Sequence, residues 1–342
     1  MYHLMLNVDN CEMEIESTLE MGFPVLSDLE SGSGSQFLDS GSQCLDSGSQ
    51  CLDSGSQCLD PWEHILKCYH ITNMNSDVVL TSKQIKECKT TWTGPITQQF
   101  EPRLLAYQIT ADTRPEIFQR YGISIIPVRN GQYVLTKNKI YQSLDYTPVE
   151  VTSLTIDTTS LLLLIGDSES SLIDRLRYSG VFEREEFLNE PITHGSLLNG
   201  RHRCSFDMQL GETNYEIKGV QYEIDSCFES EHRILIIECK NTSSPFDSFN
   251  IRQLYFPYRQ ILEKTFGKKE IICLFIHNCM NVVHIWKYCF EVPTKMDSII
   301  LSGHYMYNFQ SPSLLVPSQS QSPFSPLSTL SPLSPLSLPM SP

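Results

Sequence analysis

Basic side chains are missing from the first sixty residues, which carry eleven Asp and Glu and no Lys or Arg, and residues 311–342 carry no charge at all. The formal charge of −15 is therefore mostly a property of one end, because residues 61–310 hold 25 basic against 29 acidic side chains. That near balance neither supports nor excludes a polyanionic partner, which depends on whether Lys and Arg gather on one face. No charged segment followed by an apolar stretch opens the chain, and the apolar run at residues 161–165 is too short to span a bilayer. The twelve cysteines include no CxxC pair, so the tight knuckle of a structural zinc site is missing. The expectation is a soluble cytoplasmic protein with reduced thiols.

Composition divides the chain into four segments. Residues 1–60 are acidic and end in a period-seven repeat, Gln36-Phe37-Leu38-Asp39-Ser40-Gly41-Ser42 followed by Gln-Cys-Leu-Asp-Ser-Gly-Ser units from Gln43 and Gln50. Each unit spends one Gly and two Ser and has no a/d spacing, so it reads as a flexible linker and not as a coiled coil. Cys44, Cys51 and Cys58 lie seven apart, too far for a zinc knuckle. A short acidic helix is predicted over residues 12–21. Residues 311–342 hold eleven Ser and eight Pro and are expected to be disordered. Between these ends lie residues 61–155 and 156–310.

The richest pattern is Tyr222-Glu223-Ile224-Asp225, then twelve residues, then Glu238-Cys239-Lys240. Side chains alternate along a strand, so Glu238 and Lys240 share one face and Ile237 and Cys239 the other. A turn near Glu229–Glu231 would fold the Asp225 strand back beside the Glu238 strand and bring two carboxylates and an ammonium together. Carboxylates of this kind hold Mg²⁺, and a lysine beside them orients water and offsets charge at a phosphorus centre.

With the flanking residues, Gly219-Val220-Gln221 before the motif and Phe249-Asn250-Ile251-Arg252-Gln253-Leu254-Tyr255 after it, this stretch resembles type II restriction endonucleases with a PD-(D/E)XK core, with Ile224 where a proline often sits. The resemblance covers residues 75–310. It implies a mixed-sheet α/β fold of the restriction-endonuclease type, Mg²⁺ as cofactor, double-stranded DNA as substrate, a companion DNA methyltransferase, and hydrolysis at a short specific sequence. It assigns Asp225 and Glu238 to the metal, Lys240 to the water, and Gln253 to the same site. Such cores also bring an acid from their first helix, for which Glu183 is the candidate and Glu186 the alternate. A homodimer would allow both strands to be cut. A repair or structure-specific nuclease of the same core, or a non-catalytic DNA-binding protein on this scaffold, remain alternatives.

Residues 61–155 read as an α+β, winged-helix-like module. Thr81 and Ser82 open a capped helix, Arg114-Pro115-Glu116-Ile117-Phe118-Gln119-Arg120-Tyr121-Gly122 gives a helix stopped by glycine, and Arg129-Asn130-Gly131 turns a hairpin. Arg103, Arg114 and Arg129, with Arg252 farther on, are candidates to face DNA; the alternative is that they are solvated arginines of an ordinary domain.

In residues 156–310, Ser168 is predicted to cap a helix with Leu172, Ile173 and Leu176 on one face. Residues 206–210 and 215–218 alternate as a hairpin expected to join the central sheet, and Asp247 or Ser248 is expected to cap a helix reaching Lys264. Glu223 shares the Asp225 face as an extra ligand or as a partner of Lys218. His277, Cys279, His284 and Cys289 alternate across a hairpin without a tight zinc spacing.

Overall fold

The computed structural model describes residues 60–71, 74–95, 100–156, 160–195 and 197–310. The acidic stretch, the heptapeptide repeat through residue 59 and the Ser/Pro-rich segment lie outside the described residues.

Asp60 opens α1 (Pro61–Cys68) by accepting the Trp62 N–H at 2.7 Å, with proline at the first helical position, where a missing donor costs nothing. Strand β1 (Val78–Thr81) runs directly into α2 (Ser82–Glu87), where Thr81 and Gln84 form the reciprocal capping box. After α3 (Pro102–Leu105), α4 (Glu116–Tyr121) stops at Gly122, whose φ of 64° suits a residue without Cβ. The predicted hairpin follows as β2 (Ser124–Arg129) and β3 (Gln132–Thr136). Then come β4 (Tyr141–Ser143), β5 (Val151–Thr155) and α5 (Glu169–Tyr178), with Ser168 as the expected N-cap. The remainder is β6 (Gly200–Leu210), β7 (Thr213–Ile224), β8 (Ser226–Glu229), β9 (Arg233–Asn241), β10 (Ser248–Asn250), α6 (Arg252–Lys264), β11 (Glu270–Cys279), β12 (Val282–Phe290) and β13 (Ile299–Gln310).

These strands form a five-stranded sheet in the order β1-β3-β2-β7-β6 and a six-stranded sheet in the order β5-β13-β12-β11-β9-β8, while β4 pairs with β10. Both large sheets are mixed: β2–β7, β9–β11 and β5–β13 run parallel, and the other neighbours antiparallel. The protein is thus a mixed α/β protein. No helix among the described residues is long and apolar enough to cross a membrane.

Helix α6 lies between the two sheets. Leu254, Tyr255, Phe256, Pro257, Tyr258, Arg259 and Ile261 are all buried, as expected of a helix enclosed on every side. Its Phe256 meets Phe206 of the first sheet at 5.3 Å and its Tyr255 meets Phe290 of the second at 5.0 Å. The far face of the second sheet is covered by α5 through Leu172, Ile173 and Leu176 packed with Ile237 and Leu274. A separate cluster with Trp62, Ile85, Phe118 and Leu135 covers part of the first sheet.

Two expectations are corrected here. The hairpin β6–β7 joins β2 in the first sheet and not the strands around Glu238. Its strict alternation of exposed and buried residues marks strands covered mainly on one face, whereas β9 is buried along nearly its whole length. Neither Asp247 nor Ser248 caps α6: residues 248–250 are a strand, and the Asn250 side chain accepts the Arg252 N–H at 3.1 Å.

Candidate active site

Asp225 is the single residue between β7 of the first sheet and β8 of the second. The chain turns at Ser230–His232, and β8 returns antiparallel along β9 with Ser226 opposite Ile237. Asp225 therefore arrives beside Glu238, and its Oδ2 accepts the Cys239 N–H at 2.7 Å. Alternation does the rest: Ile237 and Cys239 enter the cluster under α5, while Glu238 and Lys240 point the other way.

Lys240 is the centre of the group. Its Nζ lies 2.9 Å from Glu238, 3.3 Å from Glu169 and 3.8 Å from Asp225, and it donates to the Cys239 carbonyl at 2.7 Å. Gln253, in the first turn of α6, donates its amide to Glu238. Burial pushes the Glu238 carboxyl up to about 7, against the pull of Lys240 and with the repulsion of Asp225. Glu169 is raised for the same reasons in the same order. For Lys240 burial works against the charge, but attraction to Glu238, then Asp225 and Glu169, outweighs it and lifts the pKa above the ordinary lysine value. Lys240 is thus held as an ammonium.

The glutamate that the first turn of α5 brings to Lys240 is Glu169, and Glu183 lies elsewhere. Glu183 accepts the Ile192 N–H at 2.9 Å, in a loop whose next residue, Thr193, donates to the Glu229 carbonyl. Glu229 pairs with Ile234, four residues down the strand from Glu238, so Glu183 serves the opposite end of the sheet. Glu186, the alternate, has its carbonyl bound by Lys287. The signal for Glu169 was present: Ser168 is a readable N-cap, which places the next residue in the first turn of the first core helix. The loop before it is tied down by Arg175, which donates to the carbonyls of Ile165 and Gly166 at 2.8 and 2.9 Å.

Three carboxylates face one ammonium, leaving surplus negative charge when all are ionised, and the buried Gln253 Oε1 beside Glu238 has no donor. Hard carboxylate oxygens with surplus charge and a spare acceptor suit a small divalent cation such as Mg²⁺. Among the described residues, the group of three ligands whose atoms all lie within 4.8 Å of one another is not this cluster, whose carboxylates are spread around Lys240, but Glu190, Glu231 and His232 at the β8–β9 turn. There Glu190 already accepts from the Ser230 hydroxyl at 2.7 Å and the His232 N–H at 3.1 Å, as a clamp on the turn.

The proposed DNA-facing arginines separate. Arg129 pairs with Glu216, and Arg114 donates to the carbonyls of Ala111 and Ile123 at 2.8 and 3.0 Å, so both are engaged within the fold. Arg103 is exposed, and Arg252 lies at the start of α6 beside the acid cluster. Glu223 pairs with Arg201, not with Lys218.

On the adjoining strand, opposite Lys240, lies His277. Its Nδ1 meets the Tyr146 hydroxyl at 2.8 Å and its Nε2 the Thr242 hydroxyl at 2.9 Å. Burial, then the nearby His284, push it down to about 4. His284 is likewise held near 4, first by burial and then by His304, whose Nε2 is 3.1 Å from its Nδ1. Cys279 donates to the Ser243 carbonyl at 3.6 Å. These side chains complete one another's hydrogen bonds.

A model for a domain of unknown function, DUF6997, matches residues 136–308, and a model for a second, DUF6996, matches residues 60–135. The search of curated proteins and the search of solved structures each gave no match. The first of the two models runs over half of the chain, from the end of β3 through the acid cluster to β13, and the protein belongs to the DUF6997 family.

Proposed function

We propose that the protein is a Mg²⁺-dependent endonuclease of the type II restriction class, with a restriction-endonuclease-like core and a winged-helix-like amino-terminal region. The observation that carries this reading is the convergence of Asp225, Glu238 and Glu169 on Lys240, with Gln253 on Glu238. Asp225, Glu238 and Glu169 would hold the ion, which would supply Lewis-acid polarisation of a phosphate oxygen and a water of lowered pKa. The Cys239 N–H and the Gln253 amide fix the Asp225 and Glu238 carboxylates before substrate arrives. Lys240, held as an ammonium between the carboxylates, would orient the attacking water and offset charge developing on the phosphate. The order helix, strand, helices, hairpin, with β1 beside β3, supports the winged-helix reading of the amino-terminal region. Double-stranded DNA is then the substrate, and a companion methyltransferase protects the host's own sites.

The test is incubation of the purified protein with unmethylated DNA of wide sequence coverage, with Mg²⁺ and with EDTA, beside Lys240→Ala. Discrete fragments that need Mg²⁺ and disappear in the variant are expected. A folded wild-type protein that cuts none of this DNA overturns the reading.

A further inference from the structure

Six of the twelve arginines in the described residues, Arg120, Arg129, Arg175, Arg201, Arg233 and Arg259, meet a carboxylate. Arg252 does not. Its guanidinium lies 5.7 Å over the Phe256 ring, and among the described residues no carboxylate comes within ion-pair distance and no acceptor takes its side-chain N–H groups. The residue is half-buried, so burial works against its charge; the Glu238 carboxylate opposes this from beyond ion-pair distance, and an anion at the guanidinium would complete the pairing. It also stands in the first turn of a thirteen-residue helix, where backbone N–H groups and the helix dipole favour negative charge.

A second, independent observation comes from the amino-terminal region. Residues 108–111 are sewn to β10, immediately before Arg252: the Asn250 N–H donates to the Ile109 carbonyl at 3.0 Å, the Asn250 amide to the Gln108 carbonyl at 3.4 Å, and the Ala111 N–H to the Ser248 hydroxyl at 2.8 Å. This stitching holds Tyr107 over the same corner. Its ring is 64 % exposed, yet it lies near enough to Lys240, Glu238 and Glu169 to feel their charges. Arg103, exposed and without an ion pair among the described residues, lies like Arg252 within electrostatic reach of the Tyr133 hydroxyl.

We propose that Arg252 and Arg103, with Tyr107 beside them, form a phosphate subsite next to the acid cluster, built jointly by the two matched regions and taking a backbone phosphate of a nucleic-acid strand. The planar fork of Arg252 grips two phosphate oxygens, and Tyr107 offers an aromatic face to the adjoining nucleotide. The identity of the strand as substrate rests on the nuclease reading; the anion site does not.

The test uses the full chain in EDTA, so that no cutting is needed. Inorganic phosphate should raise the melting temperature of the wild type and of Arg129→Gln, whose arginine is already paired, but not of Arg252→Gln. Affinity for a short DNA duplex should fall about tenfold to a hundredfold in Arg252→Gln and recover in part in Arg252→Lys. Tyr107→Ala should weaken the duplex and leave the response to inorganic phosphate unchanged. A melting temperature that phosphate leaves unmoved in the wild type, or moves equally in Arg252→Gln, overturns the site. Binding of inorganic phosphate or a mononucleotide without any binding of duplex overturns its assignment to a strand. Loss of cleavage alone has no bearing on either outcome.

Discussion

Two polar clusters sit side by side on β9 and β11, with Lys240 of one directly opposite His277 of the other. Around His277 the account closes: Tyr146 and Thr242 take both ring nitrogens, and the ring is held neutral. Around Lys240 it does not: three carboxylates compete for one ammonium, Glu238 is pushed up to about 7, and Gln253 Oε1 is left without a donor. Both are buried polar groups in one sheet under similar packing. Burial is common to both clusters; an unfinished balance of charge belongs to one, and it is there that a ligand would find something to complete.

The sharpest way to break that contrast is Glu238→Gln. Under the proposed function cleavage should drop about a thousandfold, because several kcal/mol of charge stabilisation at the phosphate disappears. The thermal melting temperature should hold, since a buried carboxylate held near 7 is itself a cost to the fold. If the melting temperature collapses along with activity, the acid cluster is structural after all.

The histidine cluster should show the reverse sensitivity. His277 is fully buried, and its folded pKa of about 4 lies below the unfolded value of 6.5. At pH values between them the unfolded chain binds the proton and the folded chain does not, so the stability present above pH 6.5 drains away as pH falls toward 4. The total for this residue is about 3 kcal/mol. Urea unfolding at a series of pH values, wild type against His277→Asn, should show a flatter profile for the variant. At pH 8 the same variant should be about 2 kcal/mol less stable, through the disturbed Tyr146 and Thr242 hydrogen bonds, and should cut DNA within a few-fold of the wild type.

The smallest effect separates two glutamates. Under the proposed function Glu169→Gln should reduce cleavage about tenfold, as the ion loses one charged ligand and a charge-assisted contact to Lys240 weakens, while Glu183→Gln should leave cleavage alone and lower stability by about 1 kcal/mol. Equal cleavage by the two variants would remove Glu169 from the site.

The centre of the site was legible because it depends on local rules. Strand alternation placed Glu238 and Lys240 on one face, and the turn before Arg233 aligned Asp225 beside them. Helix punctuation was equally readable at Thr81, Ser168 and Gly122. What failed depended on which sheet a strand joins and which side chain meets which across the chain. Nothing local to β6 and β7 says that Asp225 is a crossing point between two sheets. Arg114 and Arg129 look free in one dimension and are engaged in three, by carbonyls nine and fewer residues away and by Glu216 on a neighbouring strand. Glu183 was preferred because sequence shows a glutamate but not the Ile192 N–H that occupies it.

The first sheet crosses the boundary between the two matched regions: β1 and β2 come from residues 60–135, β3 ends one residue past it, and β6 and β7 come from residues 136–308. A recombination event that exchanged residues 60–135 between two relatives would have to preserve the β2–β7 edge and the threads from Gln108 and Ile109 to Asn250, or no folded hybrid would result. Divergence should therefore proceed by point changes within the pair, with the two regions inherited as one unit.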